Sequence, residues 1–165
     1  MFSVNDTVNY STTGACKIID IVKRKVGNNE SEYYVLKPCF RQNSTVYVPL
    51  DNELLVSKMR KVMTREEAER LISLIPGFNA DWIDNDLERN KAFREILHSG
   101  NLEEIIKMVR AIYSRKTVLE ANSKHLRAAD AAVFREAQNI VHSEIAVCLD
   151  IEYDDVEQHI KNSLK

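Results

Sequence analysis

Glycine and proline are scarce in this sequence, four and three among 165 residues, which excludes collagen-like and low-complexity chains. The three cysteines, Cys16, Cys39 and Cys148, are odd in number and far apart. They exclude a disulfide framework and a cysteine-built zinc site, and read as reduced thiols packed as small hydrophobes. No apolar run approaches the roughly 20 residues of a membrane span, and no basic segment followed by an apolar one opens the chain. A cytoplasmic protein with no membrane contact is the expectation. The four histidines, His98, His125, His142 and His159, make no HExxH pair or other metal spacing. The glycines build no phosphate-cradling loop, and the acidic run from Asp150 to Glu157 lacks the mid-loop glycine of a calcium site. Nothing here calls for an enzyme, a metal, a cofactor or a small-molecule substrate. A net charge of -2 does not advertise nucleic-acid binding either, so any such contact has to come from a local patch.

What is present is a change of character near residue 52. With 44% hydrophobic and 29% charged residues the chain has the composition of an ordinary globular protein able to bury a core. Its first part alternates with a period of two: Phe2 to Tyr10, Ala15 to Lys25, Tyr33 to Lys37 and Thr45 to Leu50 read as strands, punctuated by Ser11–Gly14 and Gly27-Asn28-Asn29. Between the last two strands Phe40-Arg41-Gln42-Asn43-Ser44 is too long for a two-residue primed turn, so a wider loop with Arg41 at its tip is expected. Pro49 cannot donate to a ladder, which puts that strand at a sheet edge. Frequent turns over about 50 residues suggest a small Tudor/SH3-like antiparallel β-barrel over 1–52.

After a linker over 53–63, the period becomes about 3.6 through 64–165. Thr64 with Glu67 forms a capping box, opening a helix that Pro76-Gly77 ends. Asn79-Ala80-Asp81 offers a cap for the next helix, starting near Trp82 and stopping at Ser99-Gly100; Asn101 caps a third. A polar stretch around Lys116–Lys124 precedes a fourth with Val133, Phe134, Ala137, Ile140, Val141 and Ile145 inward, and Asp154-Asp155 start a last short one. The expected architecture is α+β: a barrel followed by an α-helical bundle.

Three features carry alternatives. Trp82, the single tryptophan, reads as a core anchor or as an exposed wedge among Asp81, Asp84 and Asp86. Arg89, Lys91, Arg94, Lys107, Arg110, Arg115 and Lys116 read as a solvated face or as a phosphate track, with Glu88, Glu95, Glu103 and Glu104 interleaved. Lys23-Arg24-Lys25 is a charged edge that discourages aggregation or a binding element.

The pattern Phe2-x-Val4-x-Asp6-x-Val8-x-Tyr10 with Gly14, then Tyr33-Tyr34-Val35-Leu36 and Thr45-Val46-Tyr47-Val48-Pro49, resembles the N-terminal domain of the CarD/CdnL family of bacterial transcription regulators. Trp82, the run Arg89 to Gly100, and Leu126 through Glu136-Ala137 to Ser143-Glu144-Ile145-Ala146 follow that family's helical domain in order. The resemblance implies a non-enzymatic regulator. Its Tudor-like domain, similar to that of the transcription-repair coupling factor, docks on the β subunit of bacterial RNA polymerase. Its helical domain touches promoter DNA without sequence preference at the upstream edge of the melted bubble and stabilises the open complex. Carried over by position, Arg24, Thr45, Val46, Tyr47, Val48 and Pro49 are polymerase-binding, and Trp82, Arg89 and Lys91 are DNA-binding. Tyr47 stands where better-known members have arginine, Ala131 and Ala132 stand at positions often basic, and the turn from Tyr10 to Gly14 lacks the usual proline and histidine. The alternative is a protein-interaction adaptor that keeps the docking edge without DNA binding.

Overall fold

A computed structural model describes residues 1–41, 43–79 and 81–163; Gln42 of the expected loop, Ala80 of the expected cap, and residues 164–165 lie outside the described residues. Strands β1 (Thr7–Tyr10), β2 (Gly14–Val26), β3 (Asn29–Pro38), β4 (Val46–Pro49) and β5 (Met59–Lys61) form an antiparallel sheet in the order β4-β3-β2-β1-β5. The α+β class is as expected, but the barrel is corrected to an open sheet. Among the described residues no pairing joins β4 to β5, so each is an edge.

The long β2–β3 hairpin turns on Gly27-Asn28, with Gly27 in the left-handed region at φ 65°, where a Cβ is disfavoured. Near the tip Lys23 sits opposite Glu32 and Lys25 opposite Glu30, cross-strand pairs of opposite charge that favour this register. An irregularity between Ile18 and Asp20 leaves Ile19 exposed, the kind of extra residue that bends a strand. One face of the sheet buries Val8, Cys16, Ile18, Tyr34, Leu36, Val48 and Met59. Residues 53–63, expected as a linker, carry helix α1 (Glu53–Val56) and β5, whose Met59, Arg60 and Lys61 pair with Tyr10, Asn9 and Val8.

The remaining helices are α2 (Arg65–Leu74), α3 (Asp86–Ser99), α4 (Leu102–Ala121), α5 (Ala128–Leu149) and α6 (Val156–Ser163). The Thr64–Glu67 capping box forms, with both reciprocal bonds made. Gly100 terminates α3 in the left-handed conformation, and Asn101 caps α4. Two boundaries differ from expectation. Helix α3 starts at Asp86, capped by the Asn85 side chain accepting from the N–H groups of Leu87 and Glu88, so Trp82 precedes the helix. Helix α4 runs on through Ala121, because Lys116 to Ala121 are mostly good helix formers despite their polarity. The bundle core gathers Phe93 and Leu97 of α3, Ile105 and Ile112 of α4, and Val133, Ile140 and Ile145 of α5. No helix among the described residues is long and apolar enough to cross a membrane.

Sheet and bundle meet along a polar seam on α5. Glu144 is fully buried and accepts from Arg60 Nη1 and Nη2, from Asn9 Nδ2 and from the Met63 N–H, at 2.6–3.0 Å. Ser143 Oγ accepts from the Ala15 N–H at 2.9 Å, and Asn139 Nδ2 donates to the Thr13 carbonyl at 3.0 Å. A buried carboxylate is tolerable only when paired and hydrogen-bonded, and four bonds from three residues, Asn9, Arg60 and Met63, meet that demand. Gly14, at φ 86°, passes so close that a Cβ there would stand 2.5 Å from Ser143 Oγ.

Candidate functional site

The first surface is the β4 edge. The Leu50 N–H donates to the Glu32 carbonyl at 2.9 Å, and inward-bonding residues alternate along an antiparallel pair. With Val48 opposite Tyr34 and Val46 opposite Leu36, those two valines bond to β3, while the N–H and C=O of Tyr47 point to the open edge. Side chains alternate in the other sense. Val48 is fully buried and Val46 packs on the same core, whereas Thr45 and Tyr47 are exposed and Pro49 is half-buried.

The sheet splits the basic triplet. Lys23 and Lys25 face their glutamates on one side, and Arg24, opposite Ser31, lies on the other. There its guanidinium sits over the Tyr47 ring, 3.8 Å from the centroid, a cation–π arrangement. Two residues expected to act together are thus in contact, across the intervening strand β3. Tyr33 and Pro49, paired in register on the same face, extend this patch. Of the expected set, Val46 and Val48 contribute to the sheet's own core rather than to an exposed side-chain surface.

The second surface surrounds Trp82, in the irregular segment before α3. Half-buried, the indole packs against the bundle core, edge-on to Phe93 with centroids 5.9 Å apart. The Arg89 guanidinium lies 4.4 Å from the ring centroid and that of the exposed Arg115 lies 5.7 Å from it. The ring thus anchors against the core on one side and carries the two guanidinium groups over its face.

Arg89, expected on phosphate, is 4% exposed and spends its five N–H donors inside the protein. Its Nε and Nη2 bond the two oxygens of Asp130 at 2.9 and 2.8 Å, Nη2 also bonds Asp86 at 2.7 Å, and Nη1 donates to the carbonyls of Ile83 and Asp84. The carboxylates around it push the guanidinium pKa upward, the hydrogen bonds it donates to Asp130 being the largest cause. Arg89 therefore holds the 82–86 segment to α5. Asp130, itself 4% exposed, was invisible to pattern reading because it sits 41 positions away in a row of alanines.

Lys91 is exposed on α3. Asp86, which on sequence alone threatens to repel phosphate, is paired with both Arg89 and Arg127. Arg127, 72% exposed at the start of α5, was missed by the reading of the basic set.

Two family models match the chain: the CarD-like/TRCF RID domain over residues 2–63, and the CarD C-terminal domain over residues 79–161.

Proposed function

Because the chain belongs to the CarD family of RNA polymerase-interacting transcription regulators, we propose that it docks on the polymerase β subunit by strand addition to β4 and stabilises the promoter open complex through its helical domain. The observation that carries this reading is the unpaired β4 edge, where the backbone of Tyr47 and the Arg24–Tyr47 stack stand side by side. Main-chain bonds to an added strand supply affinity, and the flanking side chains supply specificity. An aromatic stacked under arginine replaces the arginine of better-known members at the Tyr47 position, so a cation is retained on this face.

On the DNA side the reading assigns Trp82 and Lys91 to the surface that meets the upstream edge of the bubble. Arg89 takes the role of positioning Trp82 rather than of touching phosphate. Contacts of this kind are indifferent to sequence, and recruitment through polymerase raises the effective concentration of a weak DNA contact. The role is regulatory and non-enzymatic.

A second reading, the adaptor that docks on polymerase without using DNA, is favoured by the internal commitment of Arg89. Lys91→Glu separates the two, measured as open-complex lifetime with cognate polymerase. The regulator loses lifetime stabilisation with polymerase affinity unchanged, whereas the adaptor is indifferent. Failure to bind the β subunit overturns both.

A further inference from the structure

The sheet has a second free edge, at β5. The Ser11 N–H donates to the Lys58 carbonyl and the Val62 N–H to the Thr7 carbonyl. Bonded positions alternate along an antiparallel pair, so Arg60, in register with Asn9, bonds inward, and the N–H and C=O groups of Met59 and Lys61 point away from β1. The Lys61 carbonyl accepts from Arg60 Nη1 at 3.3 Å, which leaves three groups for a strand laid alongside. Beside this edge a cleft of about 670 Å³ opens between sheet and bundle, with Leu97, Ile105 and Ile140 in its apolar lining. Its ionisable lining is Lys58, Arg60, Lys61 and His98, and among the described residues it has no carboxylate. Arg60 is matched by Glu144, while the exposed Lys58 and Lys61 remain to attract an anion. The neighbouring cleft toward α2 holds two acids, Glu67, engaged in its capping box, and Glu103, paired with Lys107. A lone lysine is ordinary protection for a sheet edge; here two lysines rim an open cleft beside unspent backbone groups.

We propose that β5 is a second docking edge, taking an extended acidic segment of a partner protein as a sixth strand, with its carboxylates against Lys58 and Lys61. The chemistry selects this occupant. Nucleic acid would bring phosphates to an edge that offers a carbonyl as well as N–H groups, and only a polypeptide backbone uses both. A second copy of this chain would bring either this cationic edge or the β4 edge with Arg24 stacked on it, and like charges across such a contact are costly. The two edges lie four strand spacings apart in the order β4-β3-β2-β1-β5, roughly 19 Å along the sheet, so both can be occupied at once. The sheet then joins a second protein to whatever β4 holds, independently of any contact between the helical domain and DNA.

The test titrates full-length protein with an end-capped hexapeptide of alternating glutamate and valine, and with its lysine–valine counterpart, following backbone amide NMR shifts. Lys58→Glu reverses the attraction and leaves the backbone intact, and Lys61→Pro removes an outward N–H that the β1 ladder does not use. Lys124→Glu makes the same charge reversal at an exposed position after α4. The expected result is that the acidic peptide shifts the Met59 and Lys61 amides and binds about tenfold or more tightly than the basic one. Lys58→Glu and Lys61→Pro each weaken it about tenfold, and Lys124→Glu matches wild type. Should Lys61→Pro lose its fold by circular dichroism, Lys58→Glu carries the test. No binding of the acidic peptide, or an equal loss in Lys124→Glu, overturns the proposal. So do shifts confined to Tyr47 and its neighbours, which would make β4 the edge that accepts strands. A DNA duplex that shifts the Met59 and Lys61 amides would make this a phosphate surface, and a wild-type dimer dispersed by Lys61→Pro would make it a self-contact; either result overturns the proposal as well.

Discussion

Arg60 on β5 and Glu144 on α5 form a two-pronged ion pair between sheet and bundle, Nη1 to Oε1 at 2.8 Å and Nη2 to Oε2 at 2.6 Å, with the carboxylate wholly buried and the guanidinium at the rim. Removing one member of such a pair costs more than the pair contributes, because the survivor is left with desolvated, unmatched bonds. Glu144→Ala is therefore expected to destabilise the protein by about 3 kcal/mol. It should also split one unfolding transition into two. Urea titrations followed by Trp82 fluorescence and by NMR signals of Tyr34 coincide in wild type and separate in the variant.

Asp130→Ala strands the Arg89 guanidinium in the same way, with a loss of about 3 kcal/mol. Here the second readout is local: with Arg89 no longer tethered to α5, the 82–86 segment loosens and Trp82 emission moves to longer wavelength. The double variant Arg89→Met with Asp130→Leu recovers much of the stability, since apolar replacements leave no unmatched charge. Retention of the full loss in the double variant would rule out this explanation.

Tyr47→Pro removes an N–H that points away from β3, so the sheet keeps its ladder while an added strand loses a donor. Polymerase affinity is expected to fall by about tenfold or more, with the circular dichroism spectrum and unfolding midpoint near wild type. Equal affinity for variant and wild type would mean that the polymerase is held elsewhere.

His142 lies against the Tyr153 ring, with centroids 5.8 Å apart. Burial pushes its pKa below the ordinary 6.5, and the nearby Glu157 opposes that only in part. The unfolded chain then binds the proton more readily than the folded one. Stability is full above the unfolded pKa and falls as pH drops below about 6.5 toward the folded value. His142→Gln should flatten the profile of melting temperature against pH between about 7 and 5; an unchanged slope would assign the acid sensitivity to other groups.

Local signals were legible where they were self-contained. Thr64 and Glu67 close a capping box three residues apart, and Gly100-Asn101 stops one helix and starts another, with no help needed from elsewhere. Three features escaped because their cause is distant. Met59-Arg60-Lys61 is too short to show alternation and becomes a strand only because β1 offers it a partner. Arg89 looked like any surface arginine until Asp130 arrived from another helix. Nothing near Glu144 in sequence signals its burial, its partner Asn9 being 135 positions away. The start of α3 was misplaced for a different reason: Asn79 and Asn85 are chemically equal caps, and packing of Trp82 on Phe93 decides between them. Pattern counts could suggest a barrel but could not reveal that the sheet stays open.

The seam at Glu144, Ser143 and Asn139 has a geometric consequence beyond stability. A hinge between sheet and bundle would let the helices sweep an arc; this seam works like a caliper locked at one setting. The offset from the β4 edge to the tip of α3 is then a property of the protein alone. Under the DNA-contacting reading proposed above, the base step that the helical domain reaches is set by distance from the polymerase, so promoters should differ in response according to how many base pairs they place at that mark.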